Sequence, residues 1–389
     1  MNGNGVSRRF FLTTAVAAGG GLLIGPWLDS ELPGATRATP GAAEVPLNAW
    51  IRIGPDDVVT LISSQSEMGQ GTMTTLPAVL AEELGADWSR VKIEFSPTAP
   101  PYRNPRINWQ FTGNSESTTG FFELLRTMGA SAREMLIMAA ANHWSVKADE
   151  CFTDNGKVIH KLTGRSLKFG EVAEDAARVA PPANPTPKPE SEWKLLGKSL
   201  ARVDLPAKLN GSAVFGLDFS VPGIVCAAVK QSPVHGGGVA SFDKSSVMNL
   251  PGVIDVVPIP NGVAVVARQY WQAQQALKSL KVTYDDGPNG GFSDASLNAQ
   301  YRAALDGNAW KTVKSEGDAT SGEVMKSKFA SVYSQEYESQ FLAHATMEPM
   351  NCTAQVTDEG CTIWGPLQGN QLAQVTLAAA LKLPRTGVI

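Results

Sequence analysis

Cysteine and histidine are scarce in this chain, four of each among 389 residues. Cys151, Cys226, Cys352 and Cys361 are widely spread, form no CxxC pair and stand at no ligand-like spacing from a histidine, which argues against a structural zinc. Cys352 and Cys361 are either two buried or half-buried thiols or, if their strands are neighbours, one disulfide. Charge of one sign is lacking too: a formal net charge of -4 leaves no basic footprint, so no nucleic acid is expected as a partner. No serine sits in a GxSxG elbow, and there is no GxxxxGK[ST] phosphate loop and no HExxH pair. Gly236-Gly237-Gly238 lacks GxGxxG order and reads as a flexible loop, so neither a hydrolase nor a nicotinamide-dependent dehydrogenase has support.

What is present describes a globular α+β protein of two or three domains. Hydrophobic residues make up 43% and charged residues 18%, with 37 glycines and 25 prolines, a composition rich in turns and short elements. Residues 1–43 read as an export signal: Ser7-Arg8-Arg9-Phe10-Phe11-Leu12, then an apolar run over 15–24 too short to span a bilayer comfortably, then small residues. The paired arginines resemble the twin-arginine signal, which implies a periplasmic protein exported already folded. The same segment also reads as an uncleaved N-terminal anchor.

The body opens with an expected hairpin, 50–53 and 58–62, followed by a glycine-bracketed turn, a helix over 72–84 and a strand over 91–95. Leu125, Met128, Ala132, Leu136 and Ala139 recur three and four apart and predict a long helix from about 121 to 144. This first segment, 44–180, ends at PPANPTPKP, an extended connector that opens a linker over 181–194. A compact α+β domain is expected over 195–290, with strands at 213–218, 224–230, 253–257, 263–268 and 281–284 and a helix at 270–280. In the remainder, 291–389, the stretch 293–328 reads as a polar bridge, strands are expected at 332–337, 352–356 and 362–364, and a helix at 371–381.

Three clusters carry candidate chemistry. In Ser66-Glu67-Met68-Gly69-Gln70-Gly71 the glycines let backbone N–H groups approach an anion or a planar ligand, although a tight turn with Glu67 as a helix-start residue explains the pattern equally. Gly113-Asn114-Ser115-Glu116-Ser117, ahead of the long helix, suits either a phosphate or an ordinary cap. His344 and Glu348 are four apart, but Pro349 and the lack of a third ligand favour hydrogen-bonded structural roles over a metal. Gln368, an amide after a strand among glycine and proline, can donate to a ligand oxygen without adding charge.

Taken in order, SEMGQGT at 66–72, GASAREMLIMAAANHW at 129–144, RVDLPAKLNGSAVFGLDFSVPG at 202–223 and AHATMEPMNCTAQV at 343–356 resemble the molybdopterin-binding large subunit of the xanthine oxidase family, in its isoquinoline 1-oxidoreductase β-subunit-like and aldehyde dehydrogenase-like branch. The resemblance implies an aldehyde oxidase/xanthine dehydrogenase α/β hammerhead domain at 195–290, flanked by incomplete molybdopterin-binding α+β domains. It implies molybdopterin cytosine dinucleotide as cofactor, with Gly69, Gln70 and Gly71 against the pterin, Gly113, Asn114, Ser115 and Ser117 at its phosphate or nucleotide part, and Gln368 as the catalytic glutamine donating to an oxo ligand of molybdenum. No protein side chain is expected to ligate the metal. The implied reaction oxidises aldehydes or hydroxylates N-heteroaromatic compounds with water as oxygen source, passing electrons to [2Fe-2S] clusters in a small partner subunit, since the cysteines here are too few and too dispersed to hold them. A membrane-bound cytochrome c is a further implied partner.

The family's GGGFG loop and late base glutamate are not found in this sequence. Glu67, Glu116 and Glu348 match other parts of the family pattern and do not replace that base. The expectation is therefore either a second polypeptide supplying the C-terminal half or a truncated, non-catalytic exported remnant or scaffold.

Overall fold

The computed structural model describes residues 44–307, 309, 311–317, 331, 333 and 335–389. The export signal expected at 1–43 lies outside them, and the strand expected at 332–337 lies partly outside. The chain divides into two compact units, one running to Phe219 and resuming at Glu348–Ile389, the other Ser220–Met347. Both are mixed α/β with open sheets.

The first unit begins with β1 (Val45–Asn48), β2 (Ile51–Ile53) and β3 (Val59–Ser63), paired antiparallel in that order, with β4 (Val91–Phe95) added parallel to β3. A parallel neighbour needs a crossover, and α1 (Thr72–Leu84) supplies it. Its apolar Leu76, Val79, Leu80 and Leu84 face the core, and Gly85, left-handed at φ 75°, stops it by donating to the carbonyls of Ala81 and Glu82. The long helix α2 spans Glu116–Trp144, so it begins ahead of the expected 121. Its Leu125, Ala132, Leu136 and Ala139 are buried as the periodicity requires. The two helices meet at Gly129, where a Cβ would stand 2.6 Å from Glu83 Cβ and 3.0 Å from the Leu80 carbonyl, so only glycine permits this approach. Trp50, fully buried, contacts Tyr102 and Phe121 edge-on at 5.1 and 6.0 Å and ties sheet to helix.

After α2 come strands that the periodicity did not reveal, β5 (Cys151–Asp154), β6 (Lys157–His160) and β7 (Ser166–Lys168), then α3 (Phe169–Arg178), whose Phe169, Val172, Ala173 and Ala176 join the same core. The proline-rich connector is extended as expected and is bolted down by two carboxylates of α1. Glu83, fully buried, takes Arg126 at 2.8 Å, Arg133 at 3.1 Å and the Lys188 N–H at 2.7 Å. Glu82, 2% exposed, accepts the N–H groups of Lys194 and Leu195 at 2.7 and 2.5 Å.

Residues 213–218, expected as a strand, instead hold a short 3₁₀ turn, Gly216–Asp218, that follows α4 (Leu205–Asn210). At Gly216 a Cβ would lie 2.4 Å from Asn351 Oδ1 and 2.9 Å from Pro366, so the chain packs too closely there for side chains to alternate. Phe219 then stacks on Trp364 at 4.8 Å. The unit closes with the hairpin β13 (Thr353–Val356) and β14 (Cys361–Trp364) and helix α7 (Asn370–Leu381). Cys352 and Cys361 are both free thiols: their strands are neighbours, but the register sets Cys361 opposite Val356, at the far end from Cys352.

In the second unit β8 (Cys226–Gln231), β10 (Val253–Ile259) and β11 (Gly262–Ala267) form an antiparallel sheet under α5 (Tyr270–Ser279), with Val263, Val265, Ala267, Ala273 and Ala276 as its core. The triglycine read as a loop leads into β9 (Gly238–Phe242), which pairs with β12 (Val282–Asp285). Part of the expected polar bridge is helix α6 (Asp294–Asp306), capped by Ser293; it buries no residue, which explains its weak apolar period.

Replacing Glu83 by Leu leaves the guanidinium groups of Arg126 and Arg133 without their buried counter-charge. Such a loss costs about 3–5 kcal/mol. Urea denaturation of Glu83→Leu is expected to show a drop of that size; a change under 1 kcal/mol would contradict the clamp.

Candidate functional site

The residues proposed from sequence sit in three segments of the first unit that meet at Thr112. Its side chain accepts the Ser66 N–H at 2.8 Å, its own N–H donates to the Gln368 carbonyl at 2.8 Å, and its carbonyl accepts the Gln368 side-chain amide at a long 3.4 Å. Ser66 Oγ donates to the Leu367 carbonyl, closing the triangle. The turn 66–71, the segment 113–117 and Gln368 are thereby brought together.

Beneath them lies a layer of buried amides with no periodic signature in the sequence. Gln65, 1% exposed, donates to the Phe111 carbonyl and accepts from Ser117 Oγ at 2.8 Å. Gln110 and Gln371 clasp each other: the Gln110 N–H donates to Gln371 Oε1 at 2.8 Å, and the Gln371 N–H to the Gln110 carbonyl at 3.4 Å. Gln110 also accepts the Ala99 N–H and donates to Ser96 and Pro97. Because Gln65 and Gln110 are satisfied at both ends of their amides, their burial adds rigidity rather than an unmet polar cost. Ser64 Oγ is the exception beside the turn, buried and without a hydrogen-bond partner.

At the turn itself Gly69 and Gly71 have φ of 101° and 88°, a region that favours glycine, and a Cβ on either would meet nothing within 4 Å. The glycines are therefore required by backbone conformation, and the surface over Gly69 is open while Gly71 itself is buried. Their N–H groups do not face that surface. Glu67 Oε1 accepts from Gly69 at 2.7 Å and Gly71 at 3.0 Å, and Oε2 from Met73 at 2.9 Å. The helix-start reading of Glu67 is the one the structure shows, and α1 already holds its anion. The Gln70 amide closes the turn, accepting from the Met68 N–H and donating to the Ser66 carbonyl.

Burial pushes the Glu67 carboxyl up, but the three amides, Met73 first, outweigh it and hold it below the usual carboxylate range. A carboxylate so engaged is a poor base at neutral pH.

The other helix start differs. Asn114 and Ser115 are both left-handed, φ 54° and 56°, and Ser115 makes no side-chain cap to α2. The cap reading of this segment is thus not realised by Ser115, and Ser117 has turned inward to Gln65. Asn114, Ser115 and Thr118 are exposed around the start of this 29-residue helix, where amides and dipole favour an anion; the Glu116 carboxylate stands in the same first turn and is held to the side by Asn104 at 3.3 Å and Arg106 at 3.6 Å. Among the described residues no group of three or more His, Cys, Asp or Glu side chains is placed to hold a metal. Glu348 instead accepts from the Leu217 N–H and from Asn351.

The family described as molybdopterin cofactor-binding domain matches residues 32–206. Isoquinoline 1-oxidoreductase subunit beta of Brevundimonas diminuta is 32% identical, over 91% of this chain and 50% of the relative. The membrane-bound aldehyde dehydrogenase [pyrroloquinoline-quinone] of Gluconacetobacter polyoxogenes is 28% identical, over 99% of this chain and 50% of the relative. The chain thus spans about half the length of these curated relatives. Among solved structures, quinoline 2-oxidoreductase from Pseudomonas putida 86 is 18% identical with a TM-score of 0.35, over 49% of this chain and 29% of that one, a likeness too slight to support an argument.

A carboxyl held low in the folded state contributes stability that is complete above its unfolded value and lost as pH falls through the folded one. Glu67→Gln is expected to cost roughly 1–2 kcal/mol near neutral pH. In urea titrations the gap from wild type should shrink as pH drops below about 4; a gap independent of pH would contradict the ionised cap.

Proposed function

We propose that this chain belongs to the xanthine oxidase family of molybdopterin-binding proteins as a large-subunit component of a molybdenum hydroxylase, and that the surface around Thr112 holds the cofactor. The observation that supports this most is the contrast between the two helix starts. At α1 the amides are taken by Glu67, whereas at α2 the terminus has no side-chain cap and is ringed by exposed Asn114, Ser115 and Thr118. The residues fit a ligand with a planar polar part and a phosphate-bearing part: open space over Gly69 and Gly71 for the first, the α2 terminus for the second. A nucleotide form, molybdopterin cytosine dinucleotide, suits that division.

Gly69 and Gly71 would admit the pterin by having no side chain, and Gln70 would hold the turn in shape. Gly113, Asn114 and Ser115 would line the phosphate position, with Ser117 and Gln65 fixing the α2 terminus from below. The exposed Gln368 side chain, whose amide makes a long bond to the Thr112 carbonyl, is free to turn its N–H toward a ligand oxygen. When bound, such a cofactor supplies two-electron oxidation of a carbon with oxygen taken from water. Aldehydes and N-heteroaromatic compounds are the proposed substrates, in keeping with the names of the two relatives. We read 195–290 as the α/β hammerhead domain and 1–43 as a twin-arginine-type signal that places the protein in the periplasm. The reading requires a small subunit bearing [2Fe-2S] clusters, admits a membrane-bound cytochrome c, and needs the sequence that the relatives have beyond the length matched here, whether from a second polypeptide or not.

Elemental mass spectrometry and pterin analysis of the protein purified from its native host, with co-purifying polypeptides identified, tests this. About one molybdenum and one pterin per complex are expected; a quinone cofactor, or no redox group at all, would overturn the reading. In the same complex Gln368→Ala is expected to lower turnover about 100-fold at unchanged molybdenum content. Equal turnover would remove Gln368 from the site.

A further inference from the structure

We propose that Arg202 is a positioning residue that sets the shape of the glycine turn over which the cofactor would lie, an inference that rests on the functional reading above. Arg202 lies far along the chain from the turn, in the segment that follows the proline-rich connector. Its guanidinium forks onto Asp204, Nε to Oδ1 at 3.0 Å and Nη2 to Oδ2 at 2.7 Å, which fixes the plane of the group. From that plane Nη2 reaches Glu67 Oε1 at 3.2 Å and Nη1 donates to the Gly69 carbonyl at 2.7 Å. Gly69 is thus pinned at both of its peptide groups, the N–H by Glu67 and the C=O by Arg202. Glycine at positive φ has the widest freedom of any residue, so this double restraint removes the motion that would otherwise blur the turn.

Two neighbours keep the guanidinium in place. The Val203 N–H donates to Thr74 Oγ1 at 3.2 Å, fastening the segment to the first turns of α1. Lys208 Nζ donates to Asp204 Oδ2 at 2.5 Å, so the carboxylate that orients Arg202 is itself held. The charges alternate along the line Glu67, Arg202, Asp204, Lys208, and only a planar fork can serve Asp204, Glu67 and the Gly69 carbonyl at once. Lysine at 202 would keep the charge and lose that geometry.

Hydrogen-exchange mass spectrometry on the full chain, comparing wild type with Arg202→Gln and Arg202→Lys, measures the restraint without any cofactor. Peptides covering 66–73 are expected to exchange about ten-fold faster in both variants, with β3 and the unfolding midpoint unchanged. Pterin content after purification from the native host is expected to fall several-fold in the same variants. Equal exchange over 66–73 overturns the proposal. So does faster exchange spread over the whole first unit, which would make Arg202 merely structural, and so does full pterin retention despite a loosened turn. A loosened turn together with a pterin-free wild type upholds the ordering role and overturns the functional reading, so the two failures are told apart.

Discussion

Burying two adjacent carboxylates is costly unless each is fully partnered, and the partners that Glu82 and Glu83 recruit determine the path of the chain around the site. Arg126 and Arg133 come from α2, so the pair fixes how the two helices lie, and Gly129 gives them the room to do so. The N–H groups of Lys188, Lys194 and Leu195 come from the connector, which has few ladder partners of its own. A proline-rich stretch that would otherwise wander is thus laid along α1 and delivers residues 202–204 beside the turn. The stability of the unit and the order of the turn share one origin.

The same device, a buried carboxylate meeting backbone amides, recurs at Glu67 with a different outcome. There it satisfies the start of α1 from within, and Arg202 stands against it as counter-charge. A surface lined by glycine, amide and hydroxyl groups suits a polar ligand, and the start of α2, whose N-cap Ser115 makes no side-chain bond, is a place where amides favour an anion. Chemistry that needs a protein base finds none in Glu67, whose lone pairs are engaged.

Much of this was legible in the sequence wherever one signal dominated. Helix α1 has the expected bounds because its apolar residues recur at helical spacing and Gly85 ends it. The turn and the segment 113–117 stand out by their glycines and hydroxyls, and Gln368 as an amide that follows a strand among glycine and proline. What joins them does not, because Gln65, Gln110 and Gln371 are polar residues that are buried only through contacts distant in sequence. The start of α2 was missed since residues 116–120 are polar and its period begins only at Phe121. The hairpin β5–β6 did carry a signal, Asn155-Gly156, both at positive φ, a pair that specifies a tight turn between short strands. Arg202 carries no local mark of its role, since its meaning lies in a turn to which only the fold connects it.

The most direct measurement is anomalous X-ray diffraction at the molybdenum edge on crystals of the complex purified from its native host. The proposed function predicts the metal within reach of the Gln368 side chain, the pterin over Gly69 and Gly71, and the phosphate-bearing end of the ligand at the start of α2. A molybdenum peak elsewhere on this chain, or a ligand phosphate seated at the start of α1 with Glu67 displaced, would contradict it.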